Sequence, residues 1–175
     1  MIKHPHFLWK DLFQKKKSNQ TIIDALKENV LFCTLNQREL KTLSHIVYER
    51  VYQPGEDVFH QGDRGFGMYM ILKGSIVIKT EALSGEGMIT KLHEGSFFGE
   101  LSLVDPNNIR TATATAEGKT SLVGFFKPDL LEILERKPQM GVKILFQLSS
   151  VLGRRLLETT EKITLMRKTG FVEPK

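Results

Sequence analysis

The 175-residue chain has one cysteine, Cys33, so no disulfide can form within it. That suits a reducing compartment, and a cytoplasmic protein is expected. In the stretch LFCTL the cysteine reads as a buried packing residue. No apolar run approaches the ~20 residues that a membrane-spanning helix needs. The N-terminus, MIKHPHFLWKDLFQKKK, has no clean apolar stretch before a small-residue cleavage site, so it does not read as a secretory signal. No repeat recurs at a fixed period, and no low-complexity tract exceeds KKK. No serine, cysteine or paired-carboxylate arrangement marks an active site, so no enzyme is expected. His4 and His6 flank Pro5 without a cysteine or carboxylate cluster beside them, and His45, His60 and His93 stand alone, so no metal site is expected. Helix-length segments do not alternate with strands, which argues against a parallel α/β sheet.

What is present is unevenly distributed. The formal net charge is +5. Residues 1–20 carry Lys3, Lys10, Lys15, Lys16 and Lys17 against Asp11 alone, so nearly all the excess sits at one end. A DNA-binding domain usually spreads its basic face over the folded body. The same segment contains Phe7, Leu8, Trp9, Leu12 and Phe13 at spacings that put several of them on one helical face. It reads as a solvated basic tail or as a surface for an acidic partner or a membrane.

Residues 21–47 have helical texture: Ile22, Ile23, Leu26, Val30, Leu31 and Leu35 recur near a period of 3.6. Asn36 reads as an N-cap with Glu39 three positions on, the pattern of a capping box, and Leu40, Leu43, Ile46 and Val47 continue a second helix. From 48 to 126, runs of β-formers such as MYMIL, SIVIK, MITKL, TATATA and TSLVGFF are separated by glycine-rich punctuation. The expected fold is α+β: an antiparallel β jelly-roll barrel flanked by N-terminal helices and a long C-terminal helix. Residues 127–169 are helical again. Pro128 suits the first turn of one helix, and Pro138 opens another that runs to about 168, with Gly170 placed to end it. On that helix Leu145, Leu148, Leu152, Leu156, Thr159, Ile163 and Met166 form a narrow stripe. The stripe suits docking on the β domain or a seam with a second copy, and the helix length favours the seam, hence a homodimer.

One stretch resists a packing explanation: FFGELSLVDPNNIRTATATA, residues 97–116. Glu100 and Arg110 cost free energy if buried unpaired. A small anionic ligand bearing a ribose would use both. Arginine offers a phosphate a planar fork of donors, and a short helical turn offers backbone N–H groups. Gly99 permits close approach, the amides of Leu101 and Ser102 are the expected donors, and Thr111 adds a hydroxyl. The Glu100 carboxylate can accept from a ribose hydroxyl, while Leu101 and Leu103 can anchor the turn in the core.

These features closely resemble the phosphate-binding cassette of the cyclic-nucleotide-binding domain family, whose pattern here reads Phe98-Gly99-Glu100-Leu101 and then Arg110-Thr111-Ala112. PGEDVFHQGD (54–63) resembles the family's early strand and turn, and MYMILKGSIVIK (68–79) its central hairpin; the likeness covers about residues 30–168. It implies that Glu100 binds the ribose 2′-hydroxyl and Arg110 the cyclic phosphate, with Gly99, Leu101 and Ser102 presenting backbone groups and Thr111 supporting the phosphate. RRLLETTEK (154–162) is similar to the matching stretch of bacterial catabolite activator proteins, which implies base contacts from Arg155, Thr159 and Thr160 across a dimer of long helices.

The resemblance has departures. Ile109 stands where many members have proline, and Ser102 where alanine or glycine is more frequent. Thr111 is similar to members that prefer cyclic GMP, whereas Thr159 and Thr160 point to cyclic AMP, which is favoured. No DNA-reading, kinase or channel segment follows before Lys175. The expectation is a stand-alone cyclic-nucleotide sensor that signals through its C-terminal helices to an unknown protein effector. The alternatives are a ligand-free interaction protein in which Glu100 and Arg110 merely pair with each other, or the sensor half of a transcription regulator.

Overall fold

The computed structural model describes residues 21–80 and 87–168. Residues 21–28 form helix α1 and Gln37–Ser44 form α2. Eight strands follow: β1 Tyr48–Tyr52, β2 Asp57–Phe59, β3 Gly67–Lys73, β4 Ser75–Lys79, β5 Ile89–His93, β6 Phe97–Phe98, β7 Thr113–Ala116 and β8 Thr120–Phe126. A 3-10 turn, Glu100–Leu103, lies between β6 and β7, and helices α3 (Lys127–Arg136) and α4 (Pro138–Lys168) close the described chain. The expected basic and aromatic segment 1–20 and the stop at Gly170 lie outside the described residues.

The strands pair antiparallel in two four-stranded sheets, ordered β1-β8-β3-β6 and β2-β7-β4-β5. The expected α+β class and antiparallel jelly roll stand; among the described residues the two sheets do not close into one barrel. The short strands β2 and β6 lie at sheet edges, so no ladder continues from one sheet to the other. Alternation along the central strands divides the interior in two. Met68 and Met70 of β3, with Val123 and Phe125 of β8, face the helices and meet Leu26, Phe32, Leu43, Ile133 and Ile144. Ile71 and Leu122, on the opposite faces, join Tyr52, Ile76, Phe98, Ala114 and Ala116 between the sheets. The alternating TATA of β7 follows from this: both alanines are fully buried, while Thr115 Oγ1 donates to Asp57 Oδ1 at 2.5 Å and Thr113 Oγ1 accepts from the Gln61 amide at 3.0 Å.

Local signals explain the helices. Asn36 Oδ1 accepts from the amides of Arg38 and Glu39, and Glu39 Oε2 accepts from the Asn36 amide at 2.7 Å, completing the capping box. The helix ends at Ser44, short of the expected 47. Ile46 and Val47 follow in a turn, both donating to Leu43 O. The first helical run also stops early. Asn29 Oδ1 accepts from the Leu31 amide, a local alternative to helical bonding, and the chain turns so that Val30 and Cys33 face solvent. The expected burial of Cys33 is therefore corrected: it sits on the outer side of the 29–35 turns while Leu31, Phe32 and Leu35 point inward.

Helix α4 has two halves. Met140, Ile144 and Leu148 are buried, and Leu145, Val151 and Leu152 pack partly against the core, but every described side chain from 153 onward is exposed. Among the described residues no helix is long and apolar enough to cross a membrane. Lys143 pairs with Glu39 at 2.8 Å, which ties α4 to the cap of α2. Burial pushes the Glu39 carboxyl upward, but the Lys143 hydrogen bond, the Asn36 amide and the Lys143 charge outweigh it and hold it below its ordinary value. A depressed carboxyl adds stability above its unfolded pKa of about 4.3, and that stability is lost as pH falls through the lower folded value. Glu39→Gln should therefore cost about 1 kcal/mol at neutral pH, roughly 3 °C in melting temperature for a chain of this size. The gap from wild type should shrink below about pH 4. Thermal melts of both proteins from acidic to neutral pH check this.

Candidate functional site

Strand β6 delivers the chain to Gly99, whose φ of +74° turns it into Glu100–Leu103. That left-handed conformation strains any residue with a Cβ, and a Cβ there would also lie 2.4 Å from Arg110 Nη1. The loop that follows is stapled to the 60–65 turn. Arg110 N donates to Asp63 O at 2.8 Å, Gly62 N to Arg110 O at 2.9 Å, and Gly65 N to Asn108 O at 2.6 Å. Lys127, at the start of α3, donates to Asp105 O at 3.2 Å and so fastens the same loop from the helical side.

These restraints bury the Arg110 side chain, which is 5% exposed. Its Nη1 donates to Gly99 O at 3.1 Å and to Ser102 Oγ at 3.0 Å, while its Nε is buried with no hydrogen-bond partner. Its guanidinium lies 4.0 Å from the centre of the Phe59 ring. Burial lowers its pKa, while Tyr69 and the charges of Glu100 and Asp63 act the other way. Among the described residues no carboxylate lies within ion-pair distance of it. A desolvated guanidinium with an unsatisfied donor is suited to an oxyanion.

Glu100 is equally buried, but it does not pair with Arg110 as the ligand-free alternative expected. Its Oε1 accepts from Arg155 Nη1, and the Arg155 guanidinium lies 5.1 Å from the centre of the Phe97 ring. A side chain of α4 thus reaches the cassette from 55 residues away. Glu100 and Arg110 open on one cavity of about 410 Å³, within the usual range for small-molecule sites. Its walls are largely apolar, with Ile78, Leu92, Phe97 and Ile109 among them.

Residues 49–137 match the family model described as the cyclic nucleotide-binding domain. The chain belongs to the cyclic nucleotide-binding domain family. Among curated relatives, the Cyclic AMP receptor protein of Thermus thermophilus is 31% identical over 142 residues, covering 81% of this chain and 63% of that protein. This chain therefore spans less than two thirds of that relative. The crystal structure of the Thermus thermophilus Catabolite Activator Protein superposes with a TM-score of 0.71 at 30% identity, covering 79% of this chain and 63% of that one. A cyclic nucleotide-binding domain from Methylobacillus flagellatus shares the fold, with a TM-score of 0.75 at 21% identity over 91% of this chain and 86% of that chain.

Within this cyclic nucleotide-binding domain, the cavity is lined by Phe98, Gly99, Glu100, Leu101, Ser102, Arg110, Thr111, Ala112 and Arg155. Thr159 and Thr160 are not among its walls. Their hydroxyls donate to the carbonyls of Arg155 and Leu156 one helical turn back, at 2.8 and 2.9 Å. Leu101 is 44% exposed at the cavity and does not anchor the turn, because Leu103 alone points into the helical core. The Ser102 amide donates to Gly99 O within the turn. The sequence pattern does not single out the apolar walls Ile78, Leu92 and Phe97, nor two residues that set Arg110 in place, Phe59 beneath it and Gly65 behind it. A Cβ at Gly65 would stand 2.4 Å from both Arg110 Nε and Ser102 Oγ. The only local signal was the aromatic-glycine texture of VFHQGDRG (58–65), which does not say what it faces.

Proposed function

We propose that the chain is a cyclic-nucleotide sensor that binds cyclic AMP in preference to cyclic GMP and acts by binding, not by catalysis. The observation that carries this function is the buried Arg110, which among the described residues has no carboxylate within ion-pair distance and keeps an unsatisfied Nε donor. The cyclic phosphate takes the Arg110 donors with support from Thr111, and Ser102 holds Arg110 in place. The ribose 2′-hydroxyl donates to Glu100. Because Glu100 already engages Arg155, ribose and α4 share one carboxylate, and occupancy of the cavity is transmitted to the helix. The ligand shifts that helix only as far as its affinities for the two arrangements differ. The name of the Thermus relative and the Thr159-Thr160 pair support cyclic AMP, the threonines contributing from a second chain. Calorimetric titration should show micromolar or tighter binding of cyclic AMP and weaker binding of cyclic GMP. Equal affinities would remove the base preference, and no binding of either would remove the function.

The working parts of this sensor are the basic segment 1–20, the helices of 21–47, the roll of 48–126 and the C-terminal helices of 127–169, with a protein effector downstream and a cytoplasmic location. The homodimer uses a seam that keeps Leu156 and Ile163 of the expected stripe but nearer the domain runs one residue to the side of it. Leu145, Leu148 and Leu152 dock on their own domain, whereas Val142, Phe146, Leu156 and Ile163 are exposed at heptad spacing, with Ser149 and Gly153 between them. Leu156→Glu combined with Ile163→Glu should convert a dimer into a folded monomer, with association at least ~100-fold weaker. Sedimentation equilibrium of both proteins checks this, and identical masses would remove the seam.

One observation favours a second reading. Arg155 satisfies Glu100 without any ligand, as in an interaction protein that no longer binds nucleotide. The same titration separates the two.

A further inference from the structure

A second cleft of about 520 Å³ lies between α1 and the turn joining β5 to β6, over the end of β3. It shares no residue with the nucleotide cavity. Asp24, Glu28 and Glu94 line it, and among the described residues no lysine or arginine does. Glu28 and Glu94 take part in no ion pair among the described residues. Asn29 also lines the cleft and is 3% exposed; its Oδ1 accepts from the Leu31 amide, but its Nδ2 is buried with no acceptor among the described residues. Buried donors in folded proteins are nearly always paired. The cleft therefore calls for cationic groups and an acceptor oxygen together. A metal ion supplies no acceptor, and an anion is repelled by the carboxylates. A lysine-bearing polypeptide supplies both, as ammonium groups and backbone carbonyls.

We propose that residues 10–20 of the same chain, with Lys10, Lys15, Lys16 and Lys17, dock in this cleft. Thr21, where the described chain begins, is itself one of the cleft's walls. Lys17 is four residues away, a reach of at most ~14 Å. Such a short tether holds the lysines at millimolar effective concentration or higher. Nearly all the positive excess of the chain lies in residues 1–20, which run in sequence up to Thr21, and it complements the Glu28 and Glu94 carboxylates. Docking also braces the cassette. Gly95 N donates to Ile71 O and Ile71 N to Ser96 O, both at 2.9 Å, so the cleft floor is bonded to the turn that leads through β6 to Gly99 at the nucleotide site.

The full chain tests this with a nitroxide at Gln14→Cys in a Cys33→Ser background, read by paramagnetic broadening of its amide signals. At low salt the Leu72, Glu94 and Gly95 amides should lose most of their intensity relative to the reduced label. Raising salt to about 0.5 M, where the Debye length is only a few Å, should restore them. The exposed pair Glu28→Gln and Glu94→Gln should restore them at low salt, with signals away from the cleft unchanged. Absence of broadening at low salt overturns the proposal, as does broadening that persists in the glutamine variant. Broadening seen only on mixing spin-labelled and isotope-labelled chains also overturns it, because a second copy is then the occupant. The salt titration needs no charge variant, so misfolding of one cannot mask the result.

Discussion

Arg110→Ala is expected to weaken cyclic AMP binding by about 100-fold or more while leaving the ligand-free protein as stable as before, or slightly more stable. Loss of two charge-assisted hydrogen bonds to the phosphate is worth about 3 kcal/mol or more, which sets that factor. The stability half of the prediction follows from burial. The guanidinium is removed from water, has an unsatisfied Nε, and has no carboxylate close enough to compensate it among the described residues. A buried charge in that condition contributes little to folding and can oppose it. Arg110→Lys should also bind poorly, since a single ammonium cannot reproduce the fork of donors. Calorimetry and thermal melts on the same three proteins decide the matter. A large drop in melting temperature for Arg110→Ala would mean that Arg110 serves the fold, not the ligand.

Gly67→Ala is expected to be the most damaging single methyl added to this chain. Gly67 opens β3 opposite Phe126, and a Cβ there would meet Phe125 O at 2.4 Å and Phe126 Cα at 2.8 Å. Both are backbone atoms, so no side chain can swing aside; β3 and β8 must separate where the chain turns into α3. Overpacking of this kind costs about 3 kcal/mol, roughly 6–12 °C in melting temperature at this chain length. The Gly67 carbonyl would stand 3.4 Å from a Cβ at Gly99, close enough that displacing β3 should lower nucleotide affinity along with stability. Gly118→Ala is the control: nothing stands within 4 Å of a Cβ there, and the melting temperature should barely move. Equal melting temperatures for the two variants would show that the tight β3–β8 contact at Gly67 is not held in solution.

Patterns confined to one segment were legible without the structure. The capping box at Asn36 and Glu39, the alternation of MYMIL and the glycine before Glu100 depend on neighbours within four residues, where propensity and spacing act directly. Cys33 and Leu101 are exposed against expectation, because an apolar neighbourhood in sequence does not say which side of a turn faces the core. The sequence pattern makes the α4 stripe one surface, but the domain ends partway along the helix and takes only Leu145, Leu148 and Leu152 of that stripe for itself.

By itself the sequence determined the long strands β3, β4, β5, β7 and β8, the capped start of α2, helices α3 and α4, and the presence of two charged side chains near Gly99. The tertiary structure alone decided what those charges meet. Arg155 joins Glu100 across 55 residues, and Phe59 slides beneath Arg110. Such partners are chosen by how the sheets and α4 close on one another, and closure brings together groups whose spacing along the chain carries no record of the contact.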